Sequence, residues 1–200
     1  MSKGQVFLIS GPSGSGKDTV LKLLFNKYPE IKFSISSVTR PMRVGEVEGE
    51  KYNFISKEKF QDMINNDDLL EYNEFVGNFY GTPKKPVENA VNNGDDIIVE
   101  IDVNGAAQIR KKIPEAISIF IMPPSMEVLK NRLNGRGTEI PEVVEKRLLE
   151  ALSEIKRAEE YDYIVVNDVL DEAVEDIAAI IVSERLRLSR QYRLINEILG

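Results

Sequence analysis

The chain has 200 residues, 42% of them hydrophobic and 30% charged, with a formal net charge of −7. That length is enough to bury a core and to carry inserted pieces within one domain. With no Cys and no His, thiol nucleophiles, disulfides, zinc centres of the usual ligands and any Ser-His-Asp arrangement are excluded, which leaves carboxylates, Lys, Arg, Tyr and hydroxyls. The acidic balance argues against nucleic acid as a partner, because a duplex binder presents a broad basic face. No apolar run approaches the ~18 residues that a membrane span needs, so no membrane is expected and the cytoplasm is the default location.

Val6-Phe7-Leu8-Ile9 reads as a short buried strand, and Thr19 to Leu24 carries apolar residues at helical spacing. Between them, Gly11-Pro12-Ser13-Gly14-Ser15-Gly16-Lys17 fits the phosphate-binding loop. In that motif glycines let successive N–H groups turn inward around phosphates while the Lys reaches the terminal ones. Strand, loop and helix in this order are the context the motif requires, since a helix N-terminus favours an anion. Gly11, Pro12, Ser13, Gly14, Ser15, Gly16, Lys17, Asp18 and Thr19 are therefore expected to bind a nucleoside triphosphate. One position departs from the pattern. Asp18 stands where a Ser or Thr would face Mg²⁺, and Thr19 offers a hydroxyl one place later.

The first helix should stop near Tyr28-Pro29, and Phe33-Ser34-Ile35-Ser36 alternates as a half-buried strand does. Arg40 and Arg43, with Pro41 between them, belong to an extended loop and, taken alone, read as surface cations. Glu50 to Asn92 reads as an inserted subdomain: a strand at Tyr52 to Ile55, a helix capped by Ser56, and a hairpin from Leu69 to Tyr80 turning at Gly77-Asn78. Pro83 to Asn93 is a polar helix ended by Gly94, and Ile97 to Asp102 is a β-branched strand finishing in acids, where an open α/β sheet carries its functional groups. A helix over Val103 to Lys112, a strand over Ala116 to Ile121 and a Ser125-capped helix through Leu133 follow. Asn134-Gly135-Arg136-Gly137-Thr138 breaks the pattern as a candidate lid. Pro141 to Glu160 is a long amphipathic helix, Tyr163 to Val166 a last core strand, and Leu170 to about Ile198 a long helical region with a basic stretch from Arg185 to Arg193. Strands alternating with helices predict a parallel α/β sheet.

Taken in order, these motifs resemble the guanylate kinases, enzymes that move a phosphoryl group from ATP to GMP. The resemblance rests on the loop, Ser36 to Glu46 (SSVTRPMRVGE), Tyr52-Asn53-Phe54, Gly77 to Thr82 (GNFYGT), Glu100-Ile101-Asp102, Arg136-Gly137-Thr138-Glu139 and Val166-Asn167-Asp168, and covers about Val6 to Glu184. It implies a P-loop NTPase-type core at 1–35 and 95–200, a lid at about 134–158 and an inserted GMP-binding subdomain at 36–94.

The family pattern assigns Glu71 and Asp102 to the guanine N1–H and N2–H₂ edge, and Ser36 and Thr82 to the base's O6. Adenine lacks that donor pair and would leave the carboxylates unpaired. Arg40, Arg43, Tyr52 and Tyr80 are assigned to the GMP phosphate, where Arg forks and phenols suit a dianion. On the donor side the pattern assigns Lys17 and the loop amides to the β- and γ-phosphates, Arg136 and Arg147 to closure over them, and Asn167-Asp168 to the neighbourhood of adenine. Arg132 is a secondary candidate four residues before Arg136. Glu100, counted with the acceptor site, would orient an Arg or a water on Mg²⁺. The metal itself would be held by ATP oxygens, waters and Thr19, with Asp18 at most behind them.

The resemblance also suggests a homo-oligomer, and dGMP is an open second acceptor. Two alternatives stand beside this reading. One is a kinase for another small phosphorylated acceptor; the other is a non-catalytic module of the same fold that binds phosphorylated peptides.

Overall fold

The computed structural model describes residues 3–134 and 141–200, the side chains at 141, 142, 193 and 194 excepted. In chain order the elements are β1 (Val6–Ser10), α1 (Lys17–Lys27), β2 (Lys32–Phe33), β3 (Ser36–Val38), β4 (Tyr52–Phe54), α2 (Lys57–Asn65), β5 (Leu69–Phe75), β6 (Asn78–Pro83), α3 (Lys84–Asn93) and β7 (Ile97–Glu100). There follow α4 (Val103–Lys112), β8 (Ile117–Met122), α5 (Met126–Asn134), α6 (Pro141–Lys156), a 3₁₀ turn (Arg157–Glu160), β9 (Tyr163–Val166), α7 (Leu170–Arg185) and α8 (Leu188–Leu199).

Five strands form a parallel sheet in the order β2-β7-β1-β8-β9. All of β1 is buried, as the unbroken apolar run from Val6 requires of a strand covered on both faces. Its residues alternate between two cores. Phe7 and Ile9 pack with Val20, Leu21 and Leu24 of α1 and Ile177 and Ile181 of α7, while Val6 and Leu8 pack with Val87 of α3 and Ala106 and Ile109 of α4. Helices thus cover both faces of the sheet. Among the described residues no helix is long and apolar enough to cross a membrane.

The chain leaves this sheet after Ser34, whose N–H still bonds to Ile98 O at 2.9 Å, and enters a second one in the order β4-β3-β6-β5. The alternation from Phe33 to Ser36 predicts one strand, and the structure divides it between two sheets. The side-chain pattern runs on unbroken; only the backbone's partner changes, from β7 to β4 and β6, and composition carries no mark of that exchange. The hairpin turns at Val76-Gly77, one residue earlier than the sequence suggests, with φ of 49° and 70°. Positive φ at both central positions is the geometry whose twist matches the strands, and an exposed Val76 tolerates it beside the glycine. The C-terminal helical region is two helices rather than one, broken where Arg187 turns extended (φ −55°, ψ 136°) with neither Gly nor Pro to announce it. The long helix from Pro141 ends at Lys156 and tightens into the 3₁₀ turn.

Other local signals act as read. Ser56 Oγ accepts from Lys59 N at 3.2 Å at the start of α2, Ser125 Oγ accepts from Val128 N at 3.1 Å at the start of α5, and Gly94 ends α3 in the left-handed conformation.

Phe120 of β8 is fully buried beside Val103 and Ala158, with its ring edge-on to Tyr161 at 5.1 Å. Phe120→Ala is expected to lower the unfolding free energy by about 3–5 kcal/mol through lost transfer energy and the cavity left behind. Urea denaturation would show it as a lower midpoint at unchanged slope, and a loss of less than about 1 kcal/mol would refute the packing described.

Candidate active site

The functional segments gather where the strands of the parallel sheet end. The loop follows β1, Glu100 ends β7 with Asp102 just beyond it, and Asn167 follows β9. Gly14 and Gly16 take φ of 87° and 85°, a conformation that side chains oppose. A Cβ on Gly16 would lie 2.4 Å from Asn167 Nδ2, and one on Gly11 would lie 2.5 Å from Ile121 O. These close approaches are used. Asn167 Nδ2 donates to Ser15 O at 2.7 Å, Arg132 donates to Ser15 O at 3.2 Å and to Asn167 O at 2.9 Å, and Arg147 Nη2 donates to Ser13 Oγ at 2.6 Å. The loop is therefore clamped from behind by α5, α6 and the end of β9.

A cavity of ≈ 620 Å³ lies over the loop, lined by Gly11 to Thr19 together with Lys51, Tyr52, Glu100, Arg132, Leu133, Arg147, Asn167, Asp168 and Leu170. All the donor-side residues singled out in the sequence are here except Arg136, which lies outside the described residues. Asn167 faces the loop carbonyl as well as the cavity, a clamping part that the sequence does not announce. Arg132, a secondary candidate in the sequence, bonds both the loop at Ser15 O and Asn167 O behind it.

A second cavity of ≈ 390 Å³ adjoins the first and shares Gly11, Lys17, Lys51, Tyr52 and Glu100 with it. Its further lining includes Ser36, Glu71, Asn73, Glu74, Tyr80, Asp102, Asn104 and Glu154. The two differ in charge. Lys17, Lys51 and Glu100 face both; the first adds Arg132 and Arg147 with Asp18 and Asp168, whereas the charged groups that the second adds are only acids, Glu71, Glu74, Asp102 and Glu154, so the first is the more basic. One suits a polyanion, the other a ligand rich in N–H donors.

Glu71, on β5, is 6% exposed, and the cost of burying its charge, with the neighbouring Asp102 carboxylate adding to it, raises its pKa to about 7. Thr82 Oγ1 donates to Glu71 Oε1 at 2.7 Å. Thr82 is fully buried, and its hydroxyl hydrogen is directed at the Glu71 carboxylate. Gly105 permits this closeness, since a Cβ there would lie 2.8 Å from Glu71 Oε2. Asp102 caps α4, its Oδ1 accepting from Asn104 N and Gly105 N at 2.8 Å, and Asn73 Nδ2 approaches both of its oxygens at 3.3 Å. Glu154, on α6, is likewise pushed above the usual carboxylate range, by burial and then by Asp102.

Two sequence-predicted cations lie apart. Arg40 is buried and held in a fork by Glu46 (2.7 and 2.6 Å), with its guanidinium 5.1 Å from the Tyr52 ring centre, and that fork lowers the Glu46 pKa to about 2. Arg43 is exposed, and its backbone N–H bonds the same Glu46 at 2.7 Å. Neither lines the second cavity, although Tyr52 and Tyr80 do. Among the described residues Glu100 engages the ammonium groups of Lys17 and Lys51. Lys51, Asn73, Asn104 and Glu154 escape sequence reading because none sits in a motif, and only the folding of distant strands and helices brings them to the cavities.

A family profile described as guanylate kinase matches residues 3–184. A guanylate kinase of Carboxydothermus hydrogenoformans is 44% identical over 198 residues, covering 98% of this chain and 97% of that one. One of Oceanobacillus iheyensis is 47% identical over 198 residues, covering 98% and 96%. The crystal structure of guanylate kinase from Anaplasma phagocytophilum superposes with a TM-score of 0.79 at 34% identity, covering 95% of this chain and 90% of that one. In sequence along nearly its whole length and in fold, the chain belongs to the guanylate kinase family.

Proposed function

We propose that the protein transfers the γ-phosphoryl group of ATP to GMP, giving ADP and GDP, with its substrates drawn from the cytoplasm. The observation that carries this reading is the pair of joined cavities, the basic one over the phosphate loop and the acidic one beside Glu71 and Asp102. ATP lies in the first, its phosphates on the loop amides and Lys17, with Asn167 and Asp168 toward adenine. Residues 36–94 act as the acceptor subdomain. Glu71 and Asp102 accept from guanine N1–H and N2–H₂, Ser36 lies at O6, and Tyr52 and Tyr80 face the phosphate; Arg40 and Arg43 reach it when the Glu46 contacts open.

The acceptor phosphate oxygen is already anionic near neutral pH, so transfer needs no strong base, and the absence of His removes nothing. What remains is bringing two polyanions into line and stabilising the charge that spreads over the transferring group. Lys17, Arg132 and Arg147 stand at the loop to do this, with Arg136 from the adjoining segment. Oxygen donors line the same cavity at Thr19, Asp18 and Glu100, which is chemistry suited to a hard cation. Among the described residues no three His, Cys, Asp or Glu cluster as a metal cage. That fits Mg²⁺ carried by triphosphate oxygens and water with Thr19 beside it, where it would neutralise phosphate charge. A phosphopeptide-binding module would use cations but would have no need of a glycine loop with Lys17 shaped for a triphosphate, which favours the enzyme.

Lys17→Ala is expected to reduce turnover by about 10³-fold or more while GMP binding survives; a coupled ADP-release assay with normal turnover would refute the assignment.

Guanine's donors select the ionised form of Glu71, which in the free protein titrates at about 7. The KM for GMP should therefore fall as pH rises from 6 to 8 and then level off, and Glu71→Gln should flatten that profile and cost roughly 10²-fold in kcat/KM. A steep profile persisting in the variant would place the titration elsewhere. The same raised pKa has the opposite sign for the stability of the unliganded fold. Its contribution is present below the ordinary value of 4.5 and is lost as pH rises through about 7.

A further inference from the structure

Lys51 stands one residue before β4, in the second sheet, yet its ammonium reaches across to the first. Nζ lies 3.0 Å from Asp18 Oδ1, at the start of α1, and 2.9 Å from Glu100 Oε2, at the end of β7. Glu100 simultaneously holds Lys17. Lys51 also lines both cavities, so one side chain touches the phosphate loop, the strand end behind it and the border between donor and acceptor spaces.

The other half of the pair is the irregular position in the loop. A carboxylate in the first turn of a helix favours that helix, but here it stands where the motif places a neutral hydroxyl. Asp18 is 70% exposed at the cavity that takes a triphosphate. Like charges a few ångströms apart cost about 1 kcal/mol per pair even at the dielectric of water, and a triphosphate presents several. Lys17 stands 3.7 Å from Asp18 Oδ1, but that ammonium is the one the phosphates require. Lys51 is the nearer cation and, at 38% exposed, is held in place by two carboxylates.

We infer that Lys51 is a positioning residue for the donor nucleotide: it neutralises Asp18 so that the loop can accept a triphosphate, and through Glu100 it ties the acceptor sheet to that loop. Asp18 and Lys51 then act as a unit. Losing the lysine alone leaves a bare carboxylate against the phosphates, and losing both restores a neutral site. The inference rests on reading the loop as the ATP site.

The test is ATP titration by calorimetry in EDTA, so that no metal screens the carboxylate, with thermal melting of each variant alongside. Lys51→Met should weaken ATP binding by roughly ten-fold with a near-unchanged melting temperature, Lys51→Arg should stay within about two-fold of the parent, and Asp18→Ser combined with Lys51→Met should recover most of the loss. Asp18→Ser alone should bind ATP at least as tightly as the parent. Parent-like binding by Lys51→Met, failure of Asp18→Ser to rescue it, or weaker binding by Asp18→Ser alone would each overturn the inference. If Lys51→Met does not fold, the Asp18→Ser and Lys51→Arg results still decide. A parent protein that neither binds ATP nor phosphorylates GMP would instead overturn the functional reading.

Discussion

The shape of the phosphate loop depends on one carbonyl. Ser15 O receives the Asn167 amide and the Arg132 guanidinium, and this is possible only because Gly16, its neighbour, has no side chain to stand in the way of Asn167. The turn of chain that exposes the N–H groups of the loop outward is thus held by bonds from its rear. Those bonds come from α5 and from the end of β9, the far edge of the sheet. Phosphate binding by backbone amides needs their directions set before the ligand arrives, since reorientation on binding would consume the affinity gained. The core does that setting. The alternating packing of β1 against helices on both faces fixes where the loop begins, and the clamp fixes where it goes.

The second requirement is to keep opposite charges useful within a short distance. The cavity over the loop is the more basic and the adjoining one the more acidic, and Lys17, Lys51 and Glu100 lie on the border, shared by both. Left unpaired, Glu100 would repel either phosphate. With Lys17 and Lys51 against it, it becomes an anchor for two ammonium groups whose stems come from the start of α1 and from the segment before β4. Holding several like charges ready in the absence of ligand is possible only when counter-charges are interleaved in this way, and that is why acids occur so near a site for anions.

Legibility in the sequence followed the range of the physics involved. The loop was visible because its determinants are local: glycines for the turn, a strand before it and a helix after it. Most helices were visible from apolar spacing and from caps such as Ser56 and Ser125; the one read as Pro141 to Glu160 ends at Lys156, where it tightens into a 3₁₀ turn. The change of sheet between Phe33 and Ser36 was not, because both halves keep the same alternation and differ only in which backbone they meet. The break at Leu186-Arg187 carries no Gly or Pro and is set by how the last helix lies on the fold, where Arg190 and Gln191 bond to Lys3 O and Arg185 O. In the site, residues belonging to motifs could be named in advance, whereas Lys51, Asn73 and Glu154 depend on tertiary contacts. Thr82 illustrates the limit most clearly. Its place near the base can be read from a motif, but that it serves Glu71 by a hydrogen bond can be read only from coordinates.

The two carboxylates of the acceptor cavity are not equivalent, and the difference is structural before it is chemical. Asp102 is committed to the fold, with Oδ1 holding two amides of α4 and Asn73 spanning both oxygens. Those donors hold it in place whether or not a ligand is present. Glu71 is held by the Thr82 hydroxyl and is buried, and Gly105 lets α4 approach it so closely that solvent has little room. Its charge is therefore only partly present near neutral pH in the empty cavity and would be favoured further by any N–H donors that enter beside it. A cavity built from one fixed and one buried carboxylate divides two tasks: Asp102 holds the start of α4 in place, and the ionisation of Glu71, already balanced near neutral pH by burial, is open to whatever donors enter beside it.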